Sequence, residues 1–208
     1  MGSKRNTRSK HTVILEAANE IFLREGFDMA SMDAIANAAG VSKQTVYNHF
    51  DGKEDLFRAF VRTRCESMSA AFDKPFLDEH NTPEEVLTAF GEGILGIILS
   101  PDAMRLRRLL QNEGSRHPEL AEIFYQQGPD LTANRLANYL ADQNIEGILA
   151  VREPRLAAEQ FIAMLAGHLR IRHLIGLTSP PSNSERQRYV ANAVQLFLDG
   201  ARIKPGTQ

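Results

Sequence analysis

GVSKQTVYNHFDGKEDLF, residues 40–57, decides the fold. A glycine precedes a short run whose Gln44, Tyr47, Asn48 and His49 side chains are too polar for a core, so the run faces something other than the protein's own interior. Ser42 is a natural N-cap, which starts a helix expected to reach His49. Val46 and Phe50 fall on its inward side, and Gly40 with Val41 supplies the turn before it. Upstream, Ser31 caps a thin apolar helix carrying Ala34, Ile35, Ala36 and Ala39. A helix, a glycine-containing turn and a second short helix form the helix-turn-helix pattern, in which the second helix lies in the DNA major groove. Lys43, Gln44, Thr45 and Asn48 carry donors, acceptors and methyl groups that suit base edges, whereas Tyr47, His49 and Lys53 suit phosphate oxygens. Exposed amides at the helix starts near Ser42 and Lys53 also favour an anion.

Working outward, Ile14, Ala17, Ala18, Ile21 and Phe22 paint one face of a first helix, which Gly26 ends. Lys53 opens a long fourth helix, with Leu56, Phe57, Phe60, Val61, Cys65, Met68 and Phe72 in one stripe, that stops near Lys74-Pro75. Thr82-Pro83-Glu84-Glu85 is a capping box with proline at the first helical position, predicting a helix to about Leu99. Further helices start at Ser100-Pro101-Asp102 and at His117-Pro118-Glu119. The second of these breaks at Gly128-Pro129 and resumes through Leu140. Glu153-Pro154 starts a helix to about Leu177, and the last runs from about Glu185 to Arg202. No alternating apolar run predicts a strand, so the chain reads as all-α.

The last two long helices carry more apolar surface than one core contact covers. Phe161, Leu165 and Leu169, with Ile171, Leu174 and Ile175, extend over more than one face. Val190, Val194 and Phe197 make a stripe on the final helix, with Ala191 and Leu196 outside it. Two copies could close a four-helix interface there, giving a homodimer; central core helices of a monomer have the same pattern.

Composition sets bounds on the rest. At 208 residues, with 43% hydrophobic and 24% charged residues, the chain has a globular balance and fills one large or two small domains. Its longest apolar run, Ile94 to Leu99, is far below the about 20 residues that span a bilayer. No signal peptide is read, and the single Cys65 fits a reduced cytoplasm as a buried thiol without a redox part. Net charge is −2, yet residues 1–62 hold nine Lys/Arg against eight Asp/Glu, and Lys4, Arg5, Arg8 and Lys10 precede any acid. That cationic arm serves either DNA phosphates or solubility.

Several patterns point away from enzymes. GEGILG, residues 91–96, has the dinucleotide spacing GxGxxG, but that fingerprint works only between a strand and a helix. Inside a helix it fits close packing, or room for a ligand. His168 and His173 lie on different sides of their helix, and no zinc, nucleophile-elbow or P-loop spacing occurs. No catalytic residue, metal or cofactor is expected. A nucleotide-binding enzyme and an all-α protein-interaction module are the rival readings.

The run Gly26–Phe57, GFDMASMDAIANAAGVSKQTVYNHFDGKEDLF, resembles the DNA-binding region of TetR-family transcriptional regulators. The turn glycine, the inward aliphatics, Tyr47, Phe50 and Lys53 all fall at that family's spacing, although Gly52 stands where a serine is usual. EGSRHPELAEIFYQQGP resembles the C-terminal domain of the AefR-like branch. The resemblance implies a helix-turn-helix domain over residues 1–52 and a ligand-binding and dimerisation domain over 53–208. It gives DNA contact to Ser42, Lys43, Gln44, Thr45, Tyr47, Asn48, His49 and Lys53, and adds Ser31 and Met32.

It also implies a cytoplasmic homodimer that binds a double-stranded DNA operator and a small-molecule effector, acting most simply as a repressor. The effector is expected among Phe60, Arg64, Met68, Phe90, Ile94 and Ile98, together with Leu109, Leu110, Glu113, Phe124 and Tyr125. That set is mostly apolar, which suits a hydrophobic or amphipathic molecule, and the same residues would equally serve as core. Glu113, with Arg116 and His117, either anchors the effector or makes a surface ion pair.

Overall fold

The computed structural model describes residues 9–73, 76, 80–177 and 181–201, with the side chains of all these except 67–73 and 173. Lys4, Arg5 and Arg8 and the side chains of Met68, Phe72 and His173 therefore lie outside the described residues. The described segments are helical, and no β-strand occurs among them. Contacts divide the chain into two compact units: Met1–Cys65 with Arg105–Gln127, and Glu66–Met104 with Gly128–Gln208. This partition by compactness cuts α4 (Lys53–Asp73) after Cys65 and borrows part of α6 (Pro101–Glu113) and α7 (Pro118–Tyr125) for the first unit.

In the first unit, the Ser9 hydroxyl caps α1 (Lys10–Glu25) by accepting from the Thr12 N–H at 3.2 Å. Its buried face is Ile14, Ala17, Ala18, Ile21 and Phe22, the stripe the 3.6-residue spacing predicts, with Leu15 buried beside it. Ile35 of α2 (Met32–Ala39), Val46 of α3 (Lys43–Tyr47), Phe50 and then Leu56 and Phe57 of α4 bury against it, with Leu120 of α7. The Phe22 ring meets Phe57 edge-on at 5.3 Å and Phe27 stacked at 5.8 Å, both favoured arrangements. Cys65 is half-buried at the edge of this core rather than fully enclosed.

In the second unit, the predicted capping box opens α5 (Pro83–Ile98). The Glu85 carboxylate accepts from the Thr82 N–H at 2.8 Å, and the Thr82 hydroxyl accepts from the Glu85 N–H at 3.3 Å. A π-helical turn, Gln126–Asp130, accommodates Pro129 and leads into α8 (Leu131–Ile145). This is where proline breaks the i→i−4 ladder. Helix α9 (Pro154–Leu174) ends three residues before the expected Leu177, because Gly176 turns left-handed at φ 73° and the Leu177 N–H returns to the Arg172 carbonyl. The last described helix is α10 (Asn183–Ala201). α5, α9 and α10 pack on one another, with α8 on α9.

GEGILG lies wholly inside α5, so it cradles no pyrophosphate. A β-carbon at Gly91 would stand 2.9 Å from Val190 Cγ1 and 3.3 Å from a Leu165 methyl, so this glycine lets three helices approach closely. Phe161, Leu165, Leu169, Val190 and Val194 are buried in the unit's own core, and Phe197 is half-buried. The apolar side chains that α9 and α10 expose are others: Leu156, Met164 and Ile171 on α9, and Leu196 on α10. No single helix among the described residues is long and apolar enough to cross a membrane.

Candidate nucleic-acid interface

The helix-turn-helix is built by two serine caps and one glycine. Ser31 accepts from the Ala34 N–H at 3.1 Å and fixes the start of α2. At its end, Gly40 is left-handed (φ 65°, ψ 31°), its N–H bonds the Asn37 carbonyl, and the Val41 N–H bonds the Ala36 carbonyl. That is a Schellman closure, which turns the chain sharply into α3. Ser42 then accepts from the Thr45 N–H at 3.1 Å and shares a 2.8 Å bond with the Thr45 hydroxyl.

Helix α3 covers Lys43–Tyr47 and stops two residues short of the expected His49. The His49 and Phe50 N–H groups both return to the Val46 carbonyl, at 3.0 Å each, which tightens the chain out of the α-helix. Val46 (0% exposed) and Phe50 (3%) hold this short element to the core. With those anchors inside, Lys43, Gln44, Tyr47, Asn48 and His49 are exposed, and Thr45 is half-buried. The polar face read from the sequence thus points outward.

Each polar side chain on that face has a partner or a neighbour. Gln44 Nε2 donates to Asn48 Oδ1 at 3.0 Å, a bond that uses one of its two amide hydrogens and sets the two carboxamides side by side. Lys43 Nζ pairs with Asp33 Oδ2 at 2.9 Å, and both are well exposed. The hydrogen bond to Asp33, and then the charge of that carboxylate, raise the Lys43 pKa above the ordinary lysine value. The His49 ring lies edge-on to His11 at 6.1 Å.

Two of the expected contact residues are turned inward. Met32 is buried in the core, whereas Ser31 beside it is exposed. Lys53 donates to the Phe27 and Asp28 carbonyls, at 2.7 and 3.2 Å, and stands 4.5 Å over the Phe27 ring. Asp33 and His11 carried no local signal, because each acquires its neighbour only when α1, α2 and α3 pack.

The side chains expected around an effector fall into two groups. Phe60, Leu109, Leu110 and Phe124 belong to the core of the first unit, where Arg64 is half-buried and Tyr125 is exposed. Phe90 and Ile94 are buried in the second unit, with Ile98 packed against its core. Glu113 is 6% exposed and pairs with the exposed Arg116 at 3.0 Å, so the ion pair exists with one end buried. Sequence reasoning missed Tyr139 of α8. Its hydroxyl is buried without a hydrogen-bond partner among the described residues, and its ring centroid lies 5.5 Å from that of Phe76. Burial, with Glu146 adding to it, pushes this phenol up to about 12.

Comparison with known proteins gives the same reading across nearly the whole chain. Residues 14–60 match the bacterial regulatory proteins of the tetR family, and residues 85–200 match the C-terminal domain of AefR-like transcriptional repressors. The HTH-type transcriptional regulator UidR of Escherichia coli K12 is 28% identical over 169 residues, which cover 73% of this chain and 86% of that protein. The solved structure of the flavonoid-responsive regulator FrrA superposes with a TM-score of 0.82 at 32% identity, covering 94% of this chain and 98% of that one. A Mesorhizobium loti protein assigned to the TetR family superposes at 0.81, with 27% identity over 93% of this chain and 97% of that one. With its helix-turn-helix, its all-α C-terminal domain and these relatives, the chain belongs to the TetR family of DNA-binding transcriptional regulators and is not an enzyme.

Proposed function

We propose that this regulator is a homodimeric repressor of the cytoplasm, released from a palindromic operator by a small hydrophobic or amphipathic effector. The observation that carries the DNA part is the outward polar face of α3, held by Val46 and Phe50. Functionally the chain divides into residues 1–52, which read DNA, and 53–208, which bind the effector and dimerise. Lys43, Gln44, Thr45 and Asn48 address base edges. Tyr47 and His49 address phosphates, with Ser31 and Ser42 placing the helices that carry them and Lys53 fixing the segment behind them.

For the effector, the reading rests on the second unit. Phe90, Ile94 and Ile98 supply apolar surface, and the Tyr139 hydroxyl supplies a polar group lacking a partner among the described residues. An apolar lining with one convergent polar group suits an amphipathic ligand. FrrA is described as flavonoid-responsive, and an aromatic polyphenol has that chemistry. To act as a release switch, the effector must favour the conformation that does not bind DNA. A swing from 1:99 to 99:1 needs about 5.5 kcal/mol of differential affinity.

The apolar side chains exposed on α9 and α10 support the homodimer, since two copies would cover them. The deciding experiment selects bound duplexes from a random pool and then titrates the complex with planar aromatic and acyl compounds. A palindromic consensus bound by two chains, released by one compound class, is the expected result. A non-palindromic site bound by one chain would refute the homodimer reading. Tighter binding on effector addition would refute repression by release.

A further inference from the structure

A second polar cluster lies in the first unit, away from α3, at the junction of α6 and α7. His117 Nε2 is 2.5 Å from Asp28 Oδ1, in the loop between α1 and α2, and His117 Nδ1 is 2.9 Å from Glu119 Oε1 on α7. Arg116 bridges the other Asp28 oxygen, at 2.5 Å, and Glu113 at 3.0 Å. Lys53 holds the Asp28 carbonyl from the start of α4, and the Phe27 ring lies 5.0 Å from the imidazole. Ligand atoms of Asp28, Glu113 and His117 lie within 4.8 Å of one another, a spacing that also suits a cation. Arg116 already bridges two of these carboxylates, so the chain itself supplies the positive charge.

The imidazole is the informative group. Both of its nitrogens face carboxylate oxygens, and a carboxylate only accepts. A neutral ring carries one N–H, so one of its two contacts would set a nitrogen lone pair against an oxygen. Both contacts are attractive only for the imidazolium.

The geometry points to a proton-operated latch, in which imidazolium His117 clamps the α6–α7 junction to the loop between α1 and α2 and thereby strengthens operator binding. The route to DNA is short. Asp28 presents its carboxylate to Arg116 and His117 and its carbonyl to Lys53, the first residue of α4, which follows the recognition helix directly. With the latch closed, the segment behind α3 is fixed before DNA arrives, so less ordering is needed on binding. This role requires no effector and stands apart from the release mechanism.

The sign follows from the groups that face the ring. Its hydrogen bonds to the Asp28 and Glu119 carboxylates raise the His117 pKa above 6.5, against desolvation. The Asp28 and Glu119 pKa values are lowered from 3.8 and 4.5, so both carboxylates stay charged through neutral pH. The latch is therefore complete below pH 6.5, down to the carboxylate range. It opens as pH rises through the raised His117 value.

The test begins with the wild-type protein alone. A nitrogen NMR titration of the ring should show both nitrogens protonated at pH 6.5, with the midpoint above it; a midpoint at or below 6.5 overturns the latch. Operator affinity is then measured at constant ionic strength on a duplex selected by the wild-type protein. From about pH 6 to about pH 8.5 it should weaken about fivefold or more, with the midpoint of the ring titration. H117Q and D28N should bind more weakly at the acid end and lose that step. A raised midpoint with no matching step in affinity, or a step that persists in folded H117Q, overturns the coupling.

Discussion

A β-carbon at position 26 would lie 2.9 Å from Glu113 Oε1, so Gly26 and Glu113 fit only because Gly26 has no side chain. Gly26 is also at φ 83°, ψ 171°, a conformation essentially confined to glycine. Gly26→Ala therefore brings backbone strain of about 1–3 kcal/mol and displaces a buried carboxylate from Arg116. Thermal unfolding should shift down by about 2–12 °C, at about 2–4 °C per kcal/mol for a chain of this size. An unshifted midpoint would show that neither the backbone conformation nor the contact with Glu113 requires glycine here.

Gly91 gives a prediction of graded sign. Its virtual β-carbon meets the flexible end of Val190 at 2.9 Å and of Leu165 at 3.3 Å, not backbone. Gly91→Ala gains about 1 kcal/mol of helix propensity, which roughly offsets the local crowding. Gly91→Leu drives a full side chain into the same contact and should cost about 1–3 kcal/mol. Denaturant midpoints of the two variants should therefore separate, with Ala near wild type and Leu well below it.

The acid limb of stability should report the lowered carboxylates. Glu85 is held below its usual value of 4.5 by the Thr82 N–H and then the Thr82 hydroxyl. Its contribution is present above pH 4.5 and is lost as pH falls through the lower folded value. Glu85→Gln should flatten part of the loss of stability on acidification while changing little at neutral pH beyond the weakened cap. An unchanged acid profile would remove the capping box from the acid response.

Legibility in the sequence tracked the range of the interaction. The capping box at Thr82–Glu85, the Gly40 turn and the inward Val46 and Phe50 are local patterns, and each stands where its spacing places it. Asp28 shows the limit, because its partners Arg116 and His117 are 88 and 89 residues away and nothing near it announces them. The stripe of α9 and α10 was legible as apolar, but not which residues face the core. Phe161, Leu165 and Val190 went inward because α5, thinned by Gly91, packs against them. Lys53 shows the same limit, since its spacing fits a phosphate contact but does not announce the Phe27 and Asp28 carbonyls beside its ammonium.

Tyr139 separates effector response from folding. Its buried hydroxyl lacks a partner among the described residues, and such a group costs about 1–3 kcal/mol. Tyr139→Phe should leave stability unchanged or higher, leave operator affinity unchanged, and weaken the response to an amphipathic effector. Calorimetry of the effector with both proteins measures the difference. Equal affinity for the two would remove Tyr139 from the proposed site.

The Lys43–Asp33 pair makes the recognition helix testable in two directions. Lys43 stands exposed at the first turn of α3, with its ammonium 2.9 Å from Asp33. An exposed pair of this kind contributes at most about 1 kcal/mol, so Asp33→Asn should hardly change folding. It should, however, release a cation toward the DNA and remove a nearby negative charge. Operator affinity should rise, whereas Lys43→Ala should lower it and, by taking a cation away from the DNA face, reduce the slope of log K against log salt. Gln44→Ala should instead relax base preference with the salt slope unchanged, because a neutral side chain displaces no counterion. If the Lys43 and Gln44 variants changed the slope alike, the charge of Lys43 would have no part in operator binding.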